Sequence, residues 1–350
     1  MSTKPIVNIA DDNGYSNHKT AYFDRNGRIR THKYRTMVGT TQEATNTQSG
    51  ELVSMYELED GTRFACHDGI QNPIAIRSSE YGLSVENRIL VNRGFDEAGF
   101  DDHKVKLTTS LPFDSYFLAD GRRNESLISG QIENMKHPVY KAYTNSRGEN
   151  PIANVVESRV LCEGVAAMMD FMIDENGDPA ITEDEIHAPM AVLDFGGSTF
   201  DVVGITPDFN IMQETSGTLN RGVMDMRESM SEHLAQYLRE QGVNITSPAY
   251  WMVEQAMTTD QLTMMLRGER TTFNVRELRR AAAAAVVNEI KSFARSKLKD
   301  LANYQFVLLV GGGALLCEDL FEDWADQYGL VVRDEFANAR GMLKHATYLS

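Results

Sequence analysis

Two short turns, each led by an aspartate and loosened by glycine, hold the residue types that can grip a phosphate. The longer is Leu193-Asp194-Phe195-Gly196-Gly197-Ser198-Thr199-Phe200-Asp201. Gly196 and Gly197, followed by the small Ser198 and Thr199, let backbone N–H groups close on an anion. Asp194 and Asp201 would repel a bare phosphate. The pattern therefore makes chemical sense with a Mg²⁺ ion between carboxylate and phosphate oxygens, which implies a metal-bound nucleotide. The other turn, Asp11-Asp12-Asn13-Gly14-Tyr15-Ser16-Asn17-His18-Lys19, repeats the design and adds the Lys19 ammonium for phosphate oxygens. Each stretch taken singly also fits a plain hairpin, since Asn13-Gly14 is a type I′ turn signal and Gly196-Gly197 can simply join two strands. Two such turns in one chain favour the phosphate reading.

These turns need strands on both sides. Ile6 to Ala10 leads into the first and Thr20 to Phe23 returns from it, while Met190 to Leu193 and Val202 to Ile205 flank the second as buried apolar runs. A third glycine run, Gly311-Gly312-Gly313-Ala314, follows the apolar strand Phe306 to Val310. It has the spacing of neither a dinucleotide fingerprint nor a Walker A loop, and no Gly-Lys-Ser/Thr occurs anywhere. Its glycines either lay the backbone flat against a base or ribose or make a tight strand-to-helix turn.

In this order the three stretches resemble the motifs of the actin, sugar kinase and heat-shock-70 ATPase superfamily. Asp12-Asn13-Gly14 with Lys19 matches its first phosphate motif, Asp194 to Asp201 its second, and Val310 to Ala314 its adenosine motif. Val155-Val156-Glu157-Ser158 fits the connecting segment. Within the superfamily the chain is most similar to the ParM/StbA family of plasmid-partition actins, through Thr109-Ser110-Leu111-Pro112, Glu157-Ser158 and a chain ending soon after the adenosine motif.

The resemblance implies an α/β, actin-like (ribonuclease H-like) fold with two lobes around a nucleotide cleft, domain I being 1–166 plus 332–350 and domain II 167–331. It implies a Mg²⁺-dependent ATPase taking ATP (or GTP). Asp12, Asn13, Gly14, Tyr15, Ser16, Asn17 and Lys19 would face the phosphates from one lobe, and Gly196, Gly197, Ser198 and Thr199 from the other. Asp12 and Asp194 would hold the metal through its waters. Gly222, Gly311, Gly312 and Gly313 would lie near ribose and base, and Glu157, assisted by Asp201, would orient the attacking water. Tyr15 stands where relatives carry a small residue, which passes the γ-phosphate hydroxyl contact to Ser16. The implied function is a filament-forming ATPase that assembles with copies of itself and segregates plasmid DNA through an adaptor of ParR type. A small-molecule kinase of the same superfamily and a non-polymerising nucleotide-sensing scaffold are the alternatives.

Composition bounds these readings. The chain has 350 residues, long enough for two domains with sizeable cores. A net charge of −16 argues against direct contact with nucleic acid, because neutralising phosphates requires a basic face. Cys66, Cys162 and Cys317 are odd in number, far apart and without metal-ligand spacing, which predicts buried free thiols in a reducing compartment. No apolar run reaches membrane-spanning length and no signal-type segment opens the chain, so the expectation is a cytoplasmic protein that does not engage a membrane.

Along the chain, Leu52 to Leu58 and Arg63 to Cys66 read as a hairpin around Asp60-Gly61, and the polar stretch Gly39 to Gly50 as an exposed loop. Helices are expected from Ser84, from Asn124 and over Arg159 to Met172, the last crossing between domains with Glu157 at its start. Gly222 to Gln241 carries the apolar stripe Met226, Met230, Leu234, Tyr237 and Leu238. Ser247-Pro248 reads as the start of a helical region running through Thr258 to Leu266 and stopping at Arg267-Gly268. An alanine-rich helix follows Asn274, and its Arg276, Arg279 and Arg280 read as a solvated face or as partners of a nucleotide.

Overall fold

The structure, a computed structural model, describes residues 4–40, 43–70, 72–144 and 146–349. The chain folds as two compact units, Met1–Ile186 with Glu335–Ser350, and His187–Asp334.

The first unit begins with β1 (Ile6–Asn13), β2 (Asn17–Phe23) and β3 (Ile29–Arg35). A small region follows, with β4 (Ala44–Thr45), β5 (Leu52–Val53), β6 (Met55–Glu57) and β7 (Arg63–Ala65). Then come α1 (Val85–Glu97), β8 (His103–Leu111), α2 (Phe113–Tyr116), α3 (Glu125–Lys136), β9 (Tyr140–Lys141), β10 (Ala153–Cys162) and α4 (Val165–Met172). The main sheet has the order β10-β8-β1-β2-β3, with β1 parallel to β8 on one side and antiparallel to β2 on the other. Ile9, Val105 and Leu107 put their side chains into a core shared with Ile89, Leu90 and Phe95 of α1. Ser84 starts α1 as expected, its hydroxyl accepting from the Asn87 N–H, and Asn124 does the same for α3.

The second unit holds β11 (Met190–Phe195), β12 (Phe200–Ile205), β13 (Ile211–Leu219), α5 (Val223–Glu240), α6 (Tyr250–Thr259), β14 (Gln261–Leu266), β15 (Glu269–Asn274), α7 (Arg276–Leu298), β16 (Phe306–Val310), α8 (Gly312–Leu316), α9 (Glu322–Tyr328) and β17 (Val331–Val332). Its sheet, β13-β12-β11-β16-β17, repeats the order and directions of the first. Every residue of β11 and β12 is buried, as continuous apolar runs in a covered sheet should be. Met226, Met230, Leu234 and Leu238 of α5 pack into this core, with Tyr237 at its margin. The chain then returns to the first unit as α10 (Ala337–Lys344).

The expected helix bounds are corrected at three places. The helix expected over Arg159 to Met172 begins only at Val165, because Ser158, Val160 and Cys162 alternate inward with Glu157, Arg159 and Leu161 along a strand paired to β8. Glu157 therefore lies mid-strand, beside a bulge between Val155 and Glu157 that leaves Val156 exposed on the outer edge of β10. The compact units divide after Ile186 and again at Glu335, beside the borders of 166/167 and 332 that the resemblance implies for domains I and II. α4 stays in the first unit because it is pinned to α10: Asp170 accepts from Arg340 Nη2 (2.7 Å) and Lys344 Nζ (2.7 Å), and a Cβ on Gly341 would meet Ala166 O at 1.7 Å. The helical region expected to end at Arg267-Gly268 is instead α6 followed by the β14–β15 hairpin. Those two residues form its turn with φ of +51° and +86°, as a type I′ turn requires. α6 itself starts at Tyr250 with Ala249 at the N-cap, so Ser247-Pro248 precedes the helix. In the polar stretch Gly39 to Gly50, Ala44–Thr45 pairs with Leu52–Val53, and Thr41 and Gln42 lie outside the described residues.

Candidate functional site

In the first unit, β1 and β2 meet at a loop of only three residues, Gly14 to Ser16. Asp12 pairs with Lys19 across the hairpin, so both side chains leave the same face, and Lys19 Nζ donates to Asp12 Oδ2 at 2.7 Å. This carboxylate is almost fully buried at a strand end. Asn13 anchors the loop sideways, its Oδ1 accepting from the Ser110 N–H at 3.0 Å at the end of β8. The Gly14 N–H is spent on Asp12 O (3.0 Å), and a Cβ on Gly14 would stand 2.8 Å from Asn17 O. Thr36 braces the loop from below through Gly14 O and Ser16 O. Asn17 is already in β2, paired with Arg35.

The acid beside this loop is Glu163, not Glu157. Ser110 Oγ lies 3.1 Å from Glu163 Oε1 and 3.4 Å from both Asp12 Oδ1 and Asn13 Oδ1, joining the three side chains at the ends of adjacent parallel strands. Glu157 is level with Lys106 and through it with Asn8, four residues short of Asp12, or about 13 Å at ordinary strand rise. There it pairs with Lys106 (3.0 Å) and Arg159 (2.5 Å), whose hydrogen bonds, Lys106 first, hold its carboxyl below the usual range. Glu163 was masked in the sequence by the apolar spacing of the following helix. Its signal is a charged residue closing a strand just before Gly164, which takes φ +75°.

In the second unit, Asp194 and Asp201 face each other across the β11–β12 hairpin, both buried. The Asp201 carboxylate accepts from the Thr218 hydroxyl of β13. The Gly196 N–H is spent on Thr199 O (2.9 Å), while Gly196 O and Gly197 O accept from the first N–H groups of α5, Val223 (3.2 Å) and Met224 (2.8 Å). The loop is thus clamped on a helix N-terminus. Gly222 is where loop and helix touch: a Cβ there would lie 2.4 Å from Gly197 O. Gly311 (φ +94°) and Gly313 serve the same purpose, since Cβ atoms would meet Phe195 O at 2.5 Å and the Phe195 ring at 2.4 Å. Of the two readings of the third glycine run, the tight strand-to-helix turn is the one this packing displays, with Gly312 opening α8.

A cavity of about 540 Å³ opens beside α8, with Leu315, Leu316, Thr258, Asp260, Arg276 and Arg279 in its wall. Arg279 is not on a solvated face. It is buried, donating to Asp260 Oδ1 (2.6 Å), Leu316 O (3.0 Å) and Asp319 Oδ2 (3.0 Å). Burial alone would raise the Asp319 pKa, but the Arg279 hydrogen bond and charge outweigh it and leave that carboxyl lowered. Among the described residues no three or more His, Cys, Asp or Glu side chains are grouped to hold a metal by themselves. Within its own unit each of Asp12 and Asp194 offers hard carboxylate oxygens, the donor type Mg²⁺ takes before completing its shell with water and phosphate oxygens. Among the described residues no helix is long and apolar enough to cross a membrane, and the Cys66, Cys162 and Cys317 thiols are all buried.

Residues 7–173 match the family described as plasmid segregation protein ParM, N-terminal, and residues 192–323 match archaeal actin homologue MreB-like, C-terminal. No curated protein sequence matches the chain. Among solved structures, Ta0583, an archaeal actin homolog in complex with ADP, is similar at 19% identity and a TM-score of 0.69, over 97% of this chain and 99% of that one. A 15-stranded ParM filament from Clostridium botulinum is similar at 15% identity and 0.67, over 97% and 99%. Bacillus thuringiensis ParM with ATP is similar at 13% identity and 0.64, over 99% of each chain. At such identities the structural likeness establishes the actin-like fold alone.

Proposed function

From an actin-like fold and a first half that matches the ParM N-terminal family, we propose that this chain is an ATPase that polymerises with ATP and disassembles after hydrolysis. The observation that carries this is the repeated arrangement: each unit ends its central strand in an aspartate followed by a glycine loop, at the same place in the same sheet order. In this reading both loops serve one nucleotide. The first would take the terminal phosphates near Ser16 and Lys19, and the second would receive them at Gly197 to Thr199. Asp12 and Asp194 would hold Mg²⁺, whose chemistry there is neutralisation of phosphate charge. The cavity beside α8 is the proposed place of the base.

Phosphoryl transfer asks mainly for positioning and charge stabilisation. Glu163, fixed through Ser110 to the Asp12 loop, is the proposed residue that orients the attacking water, with Asp201 held by Thr218 as a second carboxylate. Loss of the γ-phosphate removes a ligand common to both loops, which is the means by which hydrolysis would weaken subunit contacts. The Clostridium botulinum ParM filament among the similar structures supports self-assembly. The charge of −16 supports reaching plasmid DNA through a basic adaptor.

The test is sedimentation with ATP, ADP or a non-hydrolysable ATP analogue, beside phosphate release. Pelleting with triphosphate only, and phosphate release that Glu163→Ala abolishes, is the expected outcome. Turnover that requires an added hydroxylated acceptor would replace this reading with a small-molecule kinase.

A further inference from the structure

Behind the first loop lies a column of buried polar groups that phosphate binding alone does not explain. His18 and Asp11 are both fully buried, with His18 Nδ1–H donating to Asp11 Oδ1 at 2.6 Å. Asp11 Oδ2 accepts from Thr20 Oγ1 at 2.9 Å and lies 3.1 Å from the Tyr34 hydroxyl. On its other side, His18 Nε2 lies within hydrogen-bond distance, 2.7 Å, of the Tyr81 hydroxyl. That phenol stays protonated and able to donate, because burial first, and then the Asp11 charge, push its pKa well above 10. The Tyr81 ring lies 5.3 Å from the ring of Tyr15, in the middle of the three-residue loop, and the Tyr15 hydroxyl donates to Ser78 O at 2.7 Å. The column thus starts in the loop, crosses the hairpin and ends on a segment more than sixty residues away in sequence.

That segment is tied back to the same loop. Tyr81–Leu83 is a short 3₁₀ turn leading into Ser84, which caps α1. Asn134 of α3 donates to Gly82 O (3.1 Å) and Ser84 O (2.8 Å), and Gln131 of α3 donates to Ser110 O (3.2 Å). Ser110 is the residue that touches Asp12, Asn13 and Glu163. Loop, column, 3₁₀ turn, α3 and Ser110 form a closed circuit of contacts with Glu163 on it.

We propose that Tyr15 is a positioning residue, and that the column Tyr15–Tyr81–His18–Asp11 couples the phosphate state of the first loop to the Ser78–Ser84 segment and, through α3, to Glu163. This rests on the nucleotide reading above. In this proposal a phosphate at Ser16 draws on the Tyr15 backbone, and the ring and hydroxyl carry that movement to Tyr81 and Ser78.

The test compares wild type with Tyr15→Phe, which keeps the ring and removes the bond to Ser78, and Tyr81→Phe, which removes the bond to His18. Amide hydrogen exchange over 78–84 is measured without nucleotide, with ADP and with a non-hydrolysable ATP analogue, beside fluorescent-nucleotide affinity and phosphate release. The expected result is triphosphate-dependent protection of 78–84 in wild type that both variants lose, with affinity changed less than about threefold and kcat lowered about tenfold. Protection that is the same in all three proteins, or absent in wild type that binds nucleotide, overturns the coupling. Wild type that binds no nucleotide in the titration overturns the nucleotide reading itself, and the coupling with it.

Discussion

The two aspartate-led hairpins sit at matching places in matching sheets and are held by opposite means. The first is held by polar groups: Asp12 by Lys19, Asn13 by Ser110, and a buried histidine–aspartate pair underneath. The second is held by packing and by backbone hydrogen bonds, with apolar strands on both sides, the first N–H groups of α5 on Gly196 O and Gly197 O, and glycines where α5 and α8 press against Gly197 and Phe195. The difference teaches that sheet order fixes where such a loop lies, while side-chain chemistry decides how far it can respond. A loop on hydrogen bonds can exchange partners, whereas one wedged between backbones can only fit or fail.

The sharpest break in the comparison is at its catalytic edge. Glu163→Ala should lower phosphate release by about 10²- to 10⁴-fold, the range for a lost acid–base or water-positioning group. Glu157→Ala, which removes two half-exposed ion pairs, should leave release within about twofold and stability within about 1 kcal/mol. Next in size, Asp11→Ala should destabilise the first unit by about 3–5 kcal/mol in urea unfolding, because it strands one member of a buried pair. Gly222→Ala should cost about 1–3 kcal/mol through overlap with Gly197 and should abolish nucleotide binding, read by fluorescence titration. If Asp11→Ala proved milder than Gly222→Ala, the contrast between polar and packed loops would be wrong.

The smallest expected effect concerns acid. Asp319 has a folded pKa below its ordinary 3.8. Its contribution is therefore complete above that value and is lost as pH falls through the lower folded one. Asp319→Asn should lower stability near neutrality, where that contribution is complete, and flatten the profile below about pH 4 so that the two proteins converge, which thermal melts across pH would read.

Much of this was legible beforehand. Both acid-led hairpins and the β16 glycine turn could be read because strand, Asp and Gly follow one another locally, and the actin-like fold followed from their order. Glu163 was not legible, because Leu161, Val165 and Met168 have helical spacing whether or not the first of them is in a strand; only pairing with β8 decides it. The β14–β15 hairpin was hidden by Met264, Met265 and Leu266, which fit a helix as well as a strand. His18 and Tyr81 gave no signal at all, since their partners are brought together by tertiary structure.

The irregularity in β10 has its own consequence. This strand is the border of its sheet, and an open border with unused backbone donors invites any extended chain to add on. The extra residue between Val155 and Glu157 breaks the ladder there and turns Val156 outward. For a protein proposed to live at high local concentration among its own copies, that kink spoils one ready template for uncontrolled stacking.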